Sequence, residues 1–386
     1  MFTPFNNERK GSDIDMTPSG YFPLGNSRSY MANNNSKFRF KSLLAIGNPI
    51  VDISAEVTRE ILDKYHLKFG ETVFADKNNI GFYQELENMP QVSYLPGGSI
   101  QNTLRICAHC LNLDPSIKNN FFRLSMLGAT GDDTYRDKII NSFNQLGVNY
   151  LLEKIPNVHT SRCGVGIHMK ERCLLPEIRA SNLISENFIN ENMDEICKHD
   201  ALLIEGYFLQ EKNELCQMLC TKFKDQRKLV ILTSSAVSIV QQHPDKIIDI
   251  SNYADMIVGN VAEMEAFAGV SNVDHRTLFE KASKKLIAKE RAFVMTKGDQ
   301  GVVVGKYDCN KGSMDFIFQC FPTVMKMEEI EDLNGAGDAF LGGFLSQYMQ
   351  GKSLEACCKA GNNAASMILR SIGCTIPKNA KLQFIE

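Results

Sequence analysis

The chain has 386 residues, enough for one large or two ordinary domains, and either size buries a substantial core. Hydrophobic residues at 44% and charged residues at 23% read as a soluble globular protein, and a formal net charge of -3 gives no basic footprint for nucleic acid or an anionic membrane surface. No apolar run approaches the ~20 residues that span a bilayer, and the N-terminus lacks the basic-then-apolar pattern of a secretory signal, so a cytoplasmic protein is expected.

Residues 1–40 are rich in Asn, Ser, Gly and Pro without apolar periodicity, and read as a disordered extension ahead of a domain over 41–386. Leu43-Leu44-Ala45-Ile46 is a short apolar run stopped by Gly47-Asn48-Pro49, the pattern of a buried strand. Asp52 follows just past that strand, where open α/β sheets present groups to ligands. A helix is expected over 58–65 and an extended stretch over 72–75. Leu95-Pro96-Gly97-Gly98-Ser99-Ile100-Gln101-Asn102 then leads a glycine pair into a helix. Paired glycines let a ligand pack on the backbone, and Asn102 offers a donor and an acceptor; a plain strand-to-helix turn explains the glycines as well. Within that helix Cys107-Ala108-His109-Cys110 carries two thiols, but no second pair accompanies it, so packing on a helix face is expected. The twelve cysteines as a set read as reduced thiols.

From here strands and helices alternate. Strands are expected at 121–127, 164–169, 201–204, 229–232, 256–258, 292–295, 302–304 and 316–318. Helices are expected at 132–146, 211–223, 278–288 and 354–370, with 170–172 as a polar turn. Such alternation predicts an α/β fold, a parallel sheet covered by helices on both faces.

The most informative stretch is Asp332-Leu333-Asn334-Gly335-Ala336-Gly337-Asp338. An apolar run with helical spacing follows it, so the glycines sit at a helix N-terminus, where unsatisfied N–H groups and a partial positive charge receive a phosphate. Asp338 falls in the first turn. A carboxylate beside a bound phosphate repels it, but as a base for a hydroxyl attacking that phosphate it makes chemical sense. The bland reading is a first-turn carboxylate with glycines serving a turn. Two commoner phosphate motifs fail: Phe340 stands where a dinucleotide fingerprint needs its third glycine, and Ser346 where a P-loop ending in Gly351-Lys352-Ser353 needs its first.

That stretch closely resembles the Asp-Thr-x-Gly-Ala-Gly-Asp signature of the ribokinase family of sugar and nucleoside kinases. Gly47-Asn48-Pro49-Ile50-Val51-Asp52-Ile53-Ser54-Ala55, Gly97-Gly98-Ser99-Ile100-Gln101-Asn102 and Gly373-Cys374-Thr375 resemble segments of its adenosine-kinase branch, and Asn260 with Glu263 resembles the family's Asn-x-x-Glu motif, all in the same order. The resemblance runs from about residue 42 to 378. It implies a ribokinase-like fold, a large doubly wound, mostly parallel sheet flanked by helices with a small α/β lid from segments about 51–98 and 152–181.

The activity so implied is transfer of the ATP γ-phosphate to the 5′-hydroxyl of adenosine, as in purine salvage, by a monomer using Mg²⁺. Asp338 would be the base, and Gly335, Ala336 and Gly337 the anion hole. Asp52, Gly98 and Asn102 would hold the ribose, within a substrate site that also takes in Asn48, Gly97 and Ser99. Phe74 and Phe208 would sandwich the adenine, with Ile50 and Leu174 completing an apolar slot. Arg172 would reach the phosphates from the lid. Asn260 and Glu263 would order Mg²⁺ through water, and Thr296, Gly298, Asn334 and Asn362 would line the ATP side. Leu333 departs from the signature threonine, Thr233-Ser234-Ser235-Ala236-Val237 departs from the branch's usual segment, and Leu174–Arg179 is bulkier than the small residues usual there. A kinase for another nucleoside or a sugar, or an inactive nucleoside-binding relative, remain the alternatives.

Overall fold

The computed structural model describes residues 39–114, 117, 122–168 and 171–377. The expected extension therefore lies, through residue 38, outside the described residues. So do Phe121, at the start of one expected strand, and Met169 and Lys170 at the expected turn.

Alternating apolar runs build two sheets. The larger has nine strands: β1 (Ser42–Ile46), β4 (Arg123–Thr130), β5 (Asn149–Lys154), β8 (Ala201–Glu205), β9 (Leu229–Thr233), β10 (Met256–Asn260), β11 (Arg291–Thr296), β12 (Val302–Asp308) and β13 (Ser313–Cys320). Their order is β13-β12-β11-β10-β9-β8-β1-β4-β5. The seven strands from β11 to β5 run parallel, and β12 and β13 close one edge antiparallel. The smaller sheet has β2 (Ile50–Glu56), β3 (Ser93–Gly97), β6 (Ser161–His168) and β7 (Glu171–Glu177), in the order β3-β2-β6-β7.

Thirteen helices are assigned among the described residues. Early in the chain come α1 (Arg59–Lys64), α2 (Phe82–Glu87), α3 (Ser99–Leu113) and α4 (Thr134–Leu146). The middle holds α5 (Glu186–Glu191), α6 (Met193–Ile196), α7 (Gly206–Asp225), α8 (Val237–Gln242) and α9 (Pro244–Tyr253). The last are α10 (Val261–Ala268), α11 (His275–Lys284), α12 (Ala336–Met349) and α13 (Leu354–Ile368).

Period-two side-chain alternation explains why the large sheet is covered twice. Leu44, Ile46, Leu202 and Ile204 pack with α7, α10 and α11 in one core, whereas Leu43, Ala45, Ala201 and Leu203 pack with α3, α12 and α13 in the other. Neither face is left for water, so the central strands read as unbroken apolar runs. The small sheet keeps a core of its own, where Ile53, Ala55, Cys173 and Leu175 meet Phe82, Tyr83 and Leu86 of α2. Its opposite face carries Ile50, Asp52, Arg172 and Leu174.

The chain order along the large sheet reverses between β1 and β8, one continuing to β4 and β5 and the other to β9, β10 and β11. A crevice opens beyond the carboxyl ends of strands at such a reversal. There the chain leaves β1 through Gly47-Asn48-Pro49 and enters the small sheet at Ile50.

All twelve cysteines are free. Cys107 and Cys110 are buried on α3 in apolar clusters, as expected for helix-face packing. Among the described residues, no helix is long and apolar enough to cross a membrane.

Candidate active site

Gly335 caps α12 with φ of 76°, a left-handed conformation that costs glycine little, and the helix's first backbone bond runs from Ala339 N–H to Gly335 C=O. The N–H groups of Ala336 and Gly337 precede that bond and have no acceptor within the helix. Close contact between α12 and α3 brings Asp338 to a partner helix. A Cβ at Gly342 would stand 2.7 Å from the Thr103 carbonyl oxygen, so the absence of a side chain is what lets the two axes approach. One turn earlier, Ser99 Oγ donates to Asp338 Oδ1 at 2.7 Å and Asn102 Nδ2 donates to Oδ2 at 3.0 Å. Burial raises the Asp338 pKa, opposed by these two hydrogen bonds. A carboxylate with a raised pKa, fixed at a helix N-terminus, has the placement and proton affinity of a general base.

Asp52 faces the same crevice from the small sheet, its carboxylate lying where a Cβ on Gly97 would approach to 2.3 Å. Burial pushes its pKa up to about 7, Arg105 and Arg172 pull it down, and Asp338 and Asp332 raise it further. Arg105 is one of two cations among these acids. It is buried on α3, and its Nη1 donates to Pro96 O at 2.9 Å and Asn102 Oδ1 at 3.3 Å. That second bond turns the Asn102 amide so that its NH₂ faces Asp338.

Arg172 pairs with Asp332 at 2.9 Å, both side chains nearly buried. Asp332 also accepts from Gly373 N–H at 2.6 Å and Asn334 N–H at 3.0 Å, tying the signature segment to the C-terminal turn. The guanidinium expected to reach phosphates is thus held by a carboxylate here. Residues 171–172, expected as a turn, begin β7, because antiparallel pairing with β6 extends to Glu171 opposite His168. The charged segment after them is accommodated by alternation: Leu175 and Glu177 turn inward, and Glu177 accepts from Arg162 Nε and Arg179 Nε, each at 2.8 Å.

Phe208 requires correction. It is fully buried in the core beneath the large sheet and presents no face to a ligand. The reason is local: α7 starts at Gly206, directly after β8, and this turns Phe208 inward and leaves Tyr207 38% exposed. Burial, then the negative charges of Asp338, Glu205 and Glu263, push the Tyr207 phenol up to about 12. Phe74 is exposed, on a segment running beside β7 through Val73 N–H to Leu174 O and Ala75 N–H to Pro176 O, both 2.9 Å.

At the far side, Asn260 and Glu263 form a reciprocal cap on α10. Asn260 Nδ2 donates to Glu263 Oε1 at 2.6 Å, while Asn260 N–H and Ser234 Oγ donate to Oε2 at 3.1 and 2.6 Å. The departure at Ser234 therefore supplies a hydroxyl that steadies Glu263. Thr296 lies beside Asn260 in register, and Gly298 opens the turn that follows β11. Asn362 is buried on α13 with its Nδ2 toward Cys320 Sγ, and Leu333 is 73% exposed. Sequence reasoning missed Glu205, Tyr207 and Arg105. The signal for Glu205 was a single charge ending an otherwise apolar strand.

A doubly wound sheet with an open helix N-terminus and a carboxylate beside it defines a kinase of known type. The model of the pfkB family of carbohydrate kinases matches residues 63–381, and the chain belongs to that family. Adenosine kinase 2 of Arabidopsis thaliana is 29% identical over 345 residues, covering 87% of this chain and 96% of that protein. Of solved structures, the apo adenosine kinase of Trypanosoma brucei brucei has a TM-score of 0.76 at 26% identity, covering 86% of this chain and 99% of its own. Anopheles gambiae adenosine kinase in complex with P1,P4-di(adenosine-5) tetraphosphate gives a TM-score of 0.75 at 25% identity, with 87% and 98% covered.

Proposed function

We propose that this kinase transfers the γ-phosphate of ATP to the 5′-hydroxyl of adenosine, releasing AMP and ADP. The observation that carries the reading is the Asp338 carboxylate, held by Ser99 and Asn102 beside the open N-terminus of α12. The names of the relatives supply the nucleoside.

Asp338 takes the proton of the 5′-hydroxyl as it attacks, and the N–H groups of residues 335–337 hold the transferring phosphoryl oxygens. Phosphoryl transfer has a loose transition state, so this positioning and charge neutralisation matter more than nucleophile strength. Asp52, Gly98 and Asn102 bind the ribose, and Asn48 and Ser99 border it. Ile50, Phe74 and Leu174 form an apolar slot for the base, closed on the other side by Tyr207 instead of Phe208. The small sheet acts as the lid. Its closure over ATP exchanges the Asp332 partner of Arg172 for phosphate.

Mg²⁺ enters as part of the nucleotide substrate. Both oxygens of Glu263 already accept hydrogen bonds, and no cluster of three acidic, His or Cys side chains suited to a metal occurs among the described residues. That donor set fits an ion carried on phosphates and reached through water, the usual habit of Mg²⁺. The bound ion supplies charge neutralisation on the transferring group. Asn260 and Glu263 orient its water, and Thr296, Gly298, Asn334 and Asn362 border the nucleotide.

Product analysis with ATP, Mg²⁺ and a panel of nucleosides and sugars tests the reading. AMP from adenosine is the expected product; a phosphorylated sugar with untouched adenosine would replace the substrate, and hydrolysis of ATP without AMP would remove the activity. The base slot has its own test. Phe208→Ala is expected to cost about 3–5 kcal/mol of stability, whereas Tyr207→Ala leaves unfolding nearly unchanged and weakens adenosine binding. Thermal unfolding and equilibrium binding separate the two, and the reverse pattern would return the base to Phe208.

A further inference from the structure

Glu205 ends β8 at the reversal of strand order, caps α7, and is 1% exposed. Three donors converge on it. Asn48 N–H and Asn48 Nδ2 donate to Oε1 at 2.7 and 2.9 Å, and Ile100 N–H donates to Oε2 at 3.2 Å. One carboxylate thus joins the end of β1, the end of β8 and the first turn of α3. The fit is tight, for a Cβ on Gly47 would come within 2.6 Å of the carboxyl carbon.

We propose that Glu205 is a positioning residue for the transfer step, fixing the start of α3 so that Ser99 and Asn102 hold Asp338 in line with the incoming hydroxyl. The proposal rests on the reading of Asp338 as the base. Ile100 is the residue between Gly98-Ser99 and Gln101-Asn102, so whatever anchors its N–H anchors both hydrogen-bond donors to Asp338. Glu205 also fixes the Asn48 amide. With Nδ2 spent on the carboxylate, Asn48 Oδ1 is left as a buried acceptor without a partner, the kind of group that a ribose hydroxyl satisfies.

The same carboxylate is electrically coupled to the base. Burial pushes its pKa up to about 7 against the hydrogen bonds from Asn48 and Ile100, and Asp338 raises it further. The titratable groups that feel its charge are Asp338 on α12 and Tyr207 and Cys216 on α7, and its direct partners are the neutral donors of Asn48 and Ile100.

Steady-state kinetics of the full chain with adenosine and MgATP test this, using Glu205→Gln, Glu205→Asp and Asp338→Asn beside the parent protein. Glu205→Gln sets an NH₂ against donors and removes the charge. Its kcat should fall roughly 10²-fold, the effect of about 1 Å of misplacement, while KM for MgATP stays near the parent value. Glu205→Asp keeps the charge but is one methylene short, so kcat falls, again with KM for MgATP near the parent value. A Glu205→Gln enzyme with undiminished kcat overturns the proposal, and so does a lowered kcat with KM for MgATP raised to match, which is the mark of general structural damage. Should Glu205→Gln fail to fold, Glu205→Asp decides: reduced kcat at the parental KM for MgATP supports the role, and parental kcat, or a KM raised along with the loss, overturns it. Asp338→Asn separates the two levels, since full turnover there removes the base itself, whereas an inactive Asp338→Asn beside an unimpaired Glu205→Gln removes only the positioning role.

Discussion

Asp338→Asn should bind adenosine within a few-fold of the parent affinity and lose turnover by about 10²–10⁴, the range that general-base assistance supplies. The substitution is nearly isosteric. Asn102 Nδ2 and Ser99 Oγ lie at 3.0 and 2.7 Å from the two carboxylate oxygens, and the serine hydroxyl can rotate to accept from an amide NH₂ at that position. The fold should therefore survive, helped by the removal of a charge whose ionisation burial already disfavours. Only the chemical step loses a group, because an amide cannot take the proton of the attacking hydroxyl. Single-turnover measurements with saturating ATP and adenosine, alongside equilibrium binding, read the two quantities separately. Near-parental turnover would take Asp338 out of the mechanism.

That experiment bears on a site whose main parts were legible in the sequence, and for a physical reason. Gly335, Gly337 and Asp338 are adjacent along the chain and act through the backbone geometry of one helix start, so local pattern carries them. The strands of the large sheet were equally readable, since burial on both faces writes them as continuous apolar runs such as Ala201–Ile204. The small sheet was harder. Asp52 lies within β2, although the turn residues before it suggested a position just past a strand, because the chain changes sheets over Gly47-Asn48-Pro49 and resumes extended structure at once. Phe208 and Tyr207 are neighbours, and which of them meets the crevice depends on α7 beginning directly at Gly206, a boundary that periodicity does not resolve. Glu205 and Arg105 owe their importance to partners far along the chain, Glu205 to Asn48 and Ile100, Arg105 to Cys374 as well as the nearer Pro96. The pairing of Arg172 with Asp332 is of the same long-range kind.

Gly337→Ala offers the sharpest separation of fold from chemistry. A Cβ built on Gly337 meets no heavy atom within 4 Å, and the residue does not need a left-handed backbone. Within the first turn of α12, alanine is the better helix former by roughly 0.5–1 kcal/mol, so the melting temperature should hold or rise. Nothing among the described residues accounts for a glycine there. A ligand does, because phosphoryl oxygens that approach the N–H groups of residues 335–337 would occupy the space a methyl group takes. Turnover with MgATP should then fall by about 10²–10³, comparable with the loss of one donor to a developing oxyanion. Gly335→Ala is the informative comparison. Its φ of 76° and a Cβ only 2.9 Å from the Cys374 Cβ predict that it loses stability as well as activity. A Gly337→Ala enzyme that is stable and fully active would mean that the phosphate does not bind against the start of α12, and the proposed transfer geometry would have to be abandoned.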